Sequence, residues 1–294
     1  MPRNALPRRT LEELIAIHRV ESTVHDVIVE GTSDKNLVEW FLIENEKRNF
    51  AVYEVGLFEV DPSEVLALGL QDNNRGRVIA VAIDLAKHCG KKSGVSCIAD
   101  RDFDKVLEVE RECDLLLLTD YTCMLMYTFN PRVLRKYFRF RVRGFGKTAG
   151  RAILEISEAL ETLFAVRLAN QILALGLKSV DWQECCSLEI SGVHLDVEEY
   201  LKRYLNKNGR RSEMARLVGQ IQECRSWMRF GPRFHIRGHD FITILIWYIS
   251  QHRGFGAFAR RTEDTVEEEL FSCVELKDLL SESLFQELLV RIKN

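Results

Sequence analysis

The sequence predicts an α/β fold in which a parallel sheet flanked by helices is followed by a mainly helical C-terminal region. Short β-branched apolar runs alternate with stretches of helical periodicity up to about residue 120, the pattern of parallel strands joined by crossover helices. Three of those runs end in an acid, at Glu30, Asp100 and Asp120. After Pro131 helical periodicities dominate and few β-branched runs remain, which puts a boundary near residues 128–131. The expected division is residues 1–130, a metal-binding domain opened by a helix, and residues 131–294, a helical region entered through a basic segment.

Thr10-Leu11-Glu12-Glu13 has the form of a capping box and predicts an amphipathic helix to about Arg19. Residues 26–30 form a strand closed by Gly31, and Ser33-Asp34 begins a helix with Leu37, Val38, Phe41 and Leu42 at helical spacing. Strands are expected at Ala51–Val55, Val95–Ala99 and Leu115–Thr119, with a helix at Val78–Cys89. The later helices are placed at Glu155–Leu175, Val197–Leu205, Glu213–Met228, Asp240–Ser250 and Val274–Ile292, and Arg260–Glu269 reads as a charged loop.

With 46% hydrophobic and 29% charged residues over 294 positions, the chain has the composition of a globular protein with a sizeable core rather than of a disordered one. A net charge of −3 provides no global attraction for nucleic acid, so any such surface must be local. The eight cysteines form no C-x-x-C pair and the N-terminus lacks a signal-peptide core, which together predict a cytoplasmic protein. The longest apolar run, Phe241–Ile249, falls well short of the roughly 18 residues of a membrane span and reads as a buried helix.

The chemistry is expected at the strand ends. A carboxylate at the carboxyl end of a buried parallel strand stands where open α/β sheets gather ligands. In an extended chain residues i and i+2 point the same way, so Asp100 and Asp102 would face one cation, with Glu30 beside them on a neighbouring strand end. Such a carboxylate set suits Mg²⁺, which takes a few carboxylates together with water and phosphate. Asp34 and Asp104 are additional metal-ligand candidates, and Mn²⁺ is the alternative ion.

Glu30-Gly31 after a strand, Asp34 in the next turn and Asp100-x-Asp102 after a later strand resemble the Toprim domain of topoisomerases, primases and nucleases, over about residues 24–127. The resemblance implies a Toprim-like, Rossmann-like sheet and a role for Glu30 as ligand or general acid or base. Ile28-Val29-Glu30-Gly31-x-x-Asp34, Asp100-Arg101-Asp102-Phe103-Asp104 and Leu118-Thr119-Asp120-Tyr121 look closest to the effector subunit of PARIS-type anti-phage systems, itself similar to the nuclease half of OLD-type proteins. Many members carry a Glu shortly after the Thr-Asp-Tyr segment, where this chain has Thr122-Cys123-Met124-Leu125-Met126. The branch often has a Gly-His-Asp near its C-terminus, matched by Gly238-His239-Asp240. His239 is then a catalytic candidate for proton transfer or phosphate contact, and Asp240 a helix N-cap. The resemblance further implies an ABC-type ATPase sensor that holds the effector, release on infection, a homodimer when active, and cleavage of host tRNA.

Residues 132–151 carry eight Lys or Arg and no acid: Arg132, Arg135, Lys136, Arg139, Arg141, Arg143, Lys147 and Arg151, interleaved with Tyr137, Phe138, Phe140 and Phe145. That composition predicts a phosphate-backbone track with stacking aromatics; a solvated face or a docking surface for an acidic partner is the alternative. Gly144-Phe145-Gly146-Lys147-Thr148 imitates the end of a Walker A motif, but Arg141 stands where its first Gly belongs, which argues against an ATP site. Gly238 and the lack of a nearby third ligand argue against zinc at His235 and His239, and Cys185-Cys186 is assigned no chemistry. The expected function is therefore Mg²⁺-dependent nuclease action in anti-phage abortive infection, on tRNA or alternatively DNA. Rival readings are a catalytically silent binding subunit, a DNA-directed repair nuclease, or a Toprim enzyme of another reaction, among which a topoisomerase ranks last.

Overall fold

The computed structural model describes residues 10–21, 24–89 and 94–292. The chain clusters into two compact units. The first comprises residues 1–101, 110–124 and 275–294, and the second residues 102–109 and 125–274. The final segment therefore groups with the sheet rather than with the helical region, so the compact units do not follow a single cut at residue 130.

In the first unit, α1 (Leu11–Val20) starts at the predicted capping box, with Glu13 N–H on Thr10 Oγ1 and Thr10 N–H on Glu13 Oε2, each at 3.2 Å. Its His18 Nε2 lies 2.9 Å from Asp26 Oδ2, and both side chains are buried, tying the helix to strand β1 (His25–Val29). Helix α2 (Thr32–Glu44) buries the predicted Leu37, Val38, Phe41 and Leu42. Strand β2 (Phe50–Glu54) and the short α3 (Pro62–Ala67), which sequence periodicity missed, come next; α3 opens on an Asp61 cap with proline in its first turn. Helix α4 (Asn74–Cys89) begins four residues before its apolar pattern does, because its first turn is polar. Gly76 in that turn is required by packing, since a Cβ there would lie 2.0 Å from the Gln71 carbonyl oxygen. Strands β3 (Val95–Ala99) and β4 (Leu116–Leu118) complete a four-stranded sheet in the order β2-β1-β3-β4, parallel throughout. Val27, Ile28, Val29 and all of β3 are buried, as strands covered on both faces must be.

In the second unit, α5 (Pro131–Phe140) is capped by Asn130, whose Oδ1 accepts the N–H groups of Arg132 and Val133 at 3.0 Å. The 24-residue α6 (Ala149–Ile172) starts at a Thr148 cap and buries apolar residues along its whole length. A hairpin of β5 (Cys186–Leu188) and β6 (Val193–Leu195) precedes α7 (Val197–Lys207), α8 (Met214–Trp227) and α9 (Gly238–Ser250). Asp240 is not the N-cap of α9, which falls at Arg237. It lies in the first turn, buried, and binds Arg167 through both carboxylate oxygens, Oδ2 to Nε at 2.8 Å and Oδ1 to Nη2 at 2.6 Å. The expected charged loop contains a helix, α10 (Glu263–Phe271), capped by Thr262. Only Val266 and Leu270 on it are buried, an apolar stripe too sparse to register as helical in sequence.

The single helix expected over 274–292 is two, α11 (Leu276–Leu279) and α12 (Ser283–Arg291), both in the first unit. The break falls where the Asp120 carboxylate accepts the N–H groups of Ser283 and Leu284, each at 3.1 Å, satisfying donors that the start of a helix leaves open. Leu279, Leu284 and Leu288 are buried, so this leucine stripe is core. Phe285 is fully buried with its ring centroid 4.7 Å from that of Phe41 on α2. No helix among the described residues is long and apolar enough to cross a membrane. Phe285→Ala is expected to destabilise the first unit by about 3–5 kcal/mol, the usual loss for a buried Phe, as measured by urea denaturation.

Candidate functional site

Parallel pairing of β1 with β3, in the register Asp26↔Val95 to Ile28↔Cys97, carries the chain to Glu30 on one strand end and Asp100 on the next. The two half-buried acids meet there: Asp100 N–H donates to Glu30 Oε1 at 2.7 Å, and Asp100 Oδ1 accepts Met124 N–H at 3.1 Å. The first turn of α4 holds both backbones, Asn74 Nδ2 donating to the Glu30 carbonyl at 2.9 Å and Arg75 Nε to the Asp100 carbonyl at 2.6 Å. Arg101 donates to Thr119 twice, from N to Oγ1 at 3.0 Å and from Nε to O at 2.7 Å, which fixes the β3 end against that of β4. Sequence reasoning missed Asn74, Arg75 and Thr119. The run Gln71-Asp72-Asn73-Asn74-Arg75 was the available signal, since clustered Asp and Asn announce a helix start.

The extended geometry expected for Asp100-Arg101-Asp102 does not occur. Asp102 adopts φ 46°, in the left-handed region that Asp tolerates better than most residues, and the chain enters successive turns. Asp100 counts with the first unit and Asp102 with the second. The reason is Phe103, whose ring packs 4.9 Å from Phe164 within the second unit, next to a buried Asp104. Asp34 Oδ2 accepts Gly31 N–H at 3.1 Å and so closes the start of α2. Among the described residues no group of three or more His, Cys, Asp or Glu side chains is gathered as a metal cage. Glu30 and Asp100 alone still match the donor chemistry of Mg²⁺, which binds through one or two carboxylates with water and phosphate completing its shell.

The His239 Nδ1 lies 2.7 Å from Glu263 Oε2 in the second unit, with the side chain 56% exposed. His235 is fully buried in a short turn before α9, so the two histidines do not share a helix face.

Arg135, Arg139, Arg141 and Arg143 are exposed and have no ion-pair partner among the described residues. Arg132 and Arg135 share the exposed side of α5 with Arg139, and Lys136 is half-buried. The interleaved aromatics are mostly core. Tyr137 and Phe138 are buried, and Phe145 packs on Phe138, Tyr248, His252 and Phe255, which leaves Phe140 as the exposed ring of the segment. Lys147 and Arg151 both turn to the buried Glu155, at 2.8 and 2.6 Å, where Tyr248 also donates a hydrogen bond. The lysine of the Walker-like segment is thus a partner of a buried carboxylate.

Compared with known proteins, the chain matches no protein-family model and no curated protein.

Burial alone would raise the Glu155 pKa, but the hydrogen bonds from Lys147, Tyr248 and Arg151 hold it down at about 2. A carboxylate depressed in the folded state contributes stability above its unfolded value of 4.5 and loses that contribution as pH falls towards 2. Glu155→Gln is expected to be less stable at neutral pH and to lose stability less steeply below pH 4.5 than the parent, as followed by thermal melts across that range.

Proposed function

We propose that the chain is a Mg²⁺-dependent, Toprim-like nuclease, with tRNA the favoured substrate and DNA the alternative. The observation that carries this reading is the direct apposition of Glu30 and Asp100 at the carboxyl ends of the two central parallel strands, where such sheets place their chemistry. The four exposed arginines of the second unit that have no ion-pair partner among the described residues supply a local positive charge suited to phosphate, which the net charge of −3 does not. A bound cation would supply Lewis-acid stabilisation of the charge on the phosphate. Glu30 and Asp100 would hold it, and Arg75 together with Asn74 keeps their backbones in place. Asp102 enters by its sequence position, two residues after Asp100. The proposal extends to cytoplasmic action as a toxic effector, inactive while held by an ABC-type ATPase and dimeric on release, as the resemblance implies.

In a cleavage assay with Mg²⁺, Glu30→Gln is expected to lower the rate by about 10²–10⁴-fold, the range for loss of a positioned acid-base group, and Asp100→Asn to lower it by weakening the hold on the cation. Chelation should abolish cleavage and added Mg²⁺ or Mn²⁺ restore it. Unchanged cleavage in both folded variants overturns the reading, and unchanged cleavage in Asp102→Asn removes that residue from the site. Replacing Arg135, Arg139 and Arg141 by Gln should weaken binding to all substrates and reduce the log–log salt slope by about 0.7–0.9 per lost phosphate contact.

A second reading, a silent scaffold that binds nucleic acid or a protein partner, is favoured by the turned backbone at Asp102 and the absence of a three-residue cage among the described residues. Salt-dependent binding with no cleavage in either metal would select it.

A further inference from the structure

A cleft of about 550 Å³ in the second unit is lined by Lys105, Val106, Leu107, Glu108, Trp227, Arg229 and Phe230. Its volume falls within the roughly 300–1,000 Å³ of small-molecule sites. One wall is the loop that follows Asp102, pinned by Phe103 on Phe164 and closed by Leu107 N–H on the Phe103 carbonyl and Val109 N–H on the Asp104 carbonyl. The other is the end of α8, where the chain leaves the helix at Met228 and presents Phe230.

Phe230 is 46% exposed although its ring is held in place, with Phe234 at 5.5 Å and His235 at 6.3 Å between centroids. Lys105 Nζ sits 4.7 Å from the Phe230 centroid and has no carboxylate partner among the described residues. Arg229 Nε is anchored on the Ser226 carbonyl at 3.2 Å, while its two terminal nitrogens have no partner among the described residues, and neither has the Trp227 indole N–H. An apolar slot with an oriented ring, two unpaired cations and an unengaged N–H donor complements one kind of occupant, a flat aromatic group that carries an anion.

We propose that this cleft takes one unpaired nucleotide of the substrate, its base stacked at Phe230 and its phosphate met by Lys105 and Arg229. Lys105 is held over the ring only by a cation–π contact, which at an exposed site is worth about 0.5–1 kcal/mol, so an incoming base displaces it towards the phosphate. Base stacking on an aromatic ring tolerates any sequence and requires an unstacked base, so the cleft selects single-stranded segments over continuous duplex. This rests on the nuclease reading for the kind of substrate, and adds that the substrate is held through an unpaired nucleotide of a loop or an end.

Fluorescence anisotropy with a labelled 12-nucleotide single-stranded RNA and a blunt duplex of the same sequence tests it on the full chain. Phe230→Leu keeps the apolar volume and removes the π face; it is expected to weaken single-strand binding roughly tenfold, the loss of one base stack, and to leave duplex binding unchanged. Lys105→Gln combined with Arg229→Gln should weaken single-strand binding similarly and reduce its salt slope. Equal affinities of parent and Phe230→Leu for the single strand, or equal losses for both probes, overturn the proposal. So does a parent that binds neither probe, which overturns the nuclease reading with it. A selective single-strand loss in a parent that never cleaves in Mg²⁺ supports the cleft while overturning the nuclease reading alone.

Discussion

The pairing of β1 with β3 is the constraint on which the candidate site depends. Parallel strands in this register end side by side, and the first residue beyond each is an acid. Two carboxylates so placed would repel, and the structure relieves this with backbone donors: Asp100 N–H lies on Glu30 Oε1 and Met124 N–H on Asp100 Oδ1. The same two bonds tie the end of β1 to the end of β3 and to the segment that follows β4. Val27, Ile28, Val29 and the whole of β3 are buried, so packing on both faces of the sheet holds these strand ends in place.

Most of the remaining acids of the motifs have architectural partners. Asp34 closes the first turn of α2 on Gly31, Asp120 caps α12, and Asp240 forms a two-point pair with Arg167. Each lies at or near the start of a helix, where the dipole and unsatisfied N–H groups favour negative charge. These partners show why a motif of several carboxylates does not translate into an equal number of metal ligands.

The basic segment divides along the same lines. Helical spacing sends Arg135 and Arg139 to the exposed side of α5 and Val133, Leu134, Tyr137 and Phe138 into the core. Further on, Lys147 and Arg151 neutralise the buried carboxylate of Glu155, whose backbone is packed so closely by Gly192 that a Cβ there would approach the Glu155 carbonyl oxygen to 2.4 Å. One run of eight cations therefore holds both a solvent-facing stripe and an internal charge cluster. Phe140 and Phe230 are the exposed phenylalanines of this unit among the described residues.

The sequence by itself determined the strands β1, β2, β3 and β4, the helices α1 and α2, and the acids at the ends of β1 and β3, because apolar runs, capping residues and turn glycines are local signals. It also determined that the chain after Pro131 is helical. Only the tertiary structure decided that the last twenty residues belong with the sheet, since the burial of Phe285 on Phe41 joins residues far apart in the chain. It alone decided that the chain turns at Asp102, because Phe103 finds its partner at Phe164. It likewise set which cations stay free, for an arginine and its carboxylate partner meet through packing, and no spacing in the sequence records that meeting.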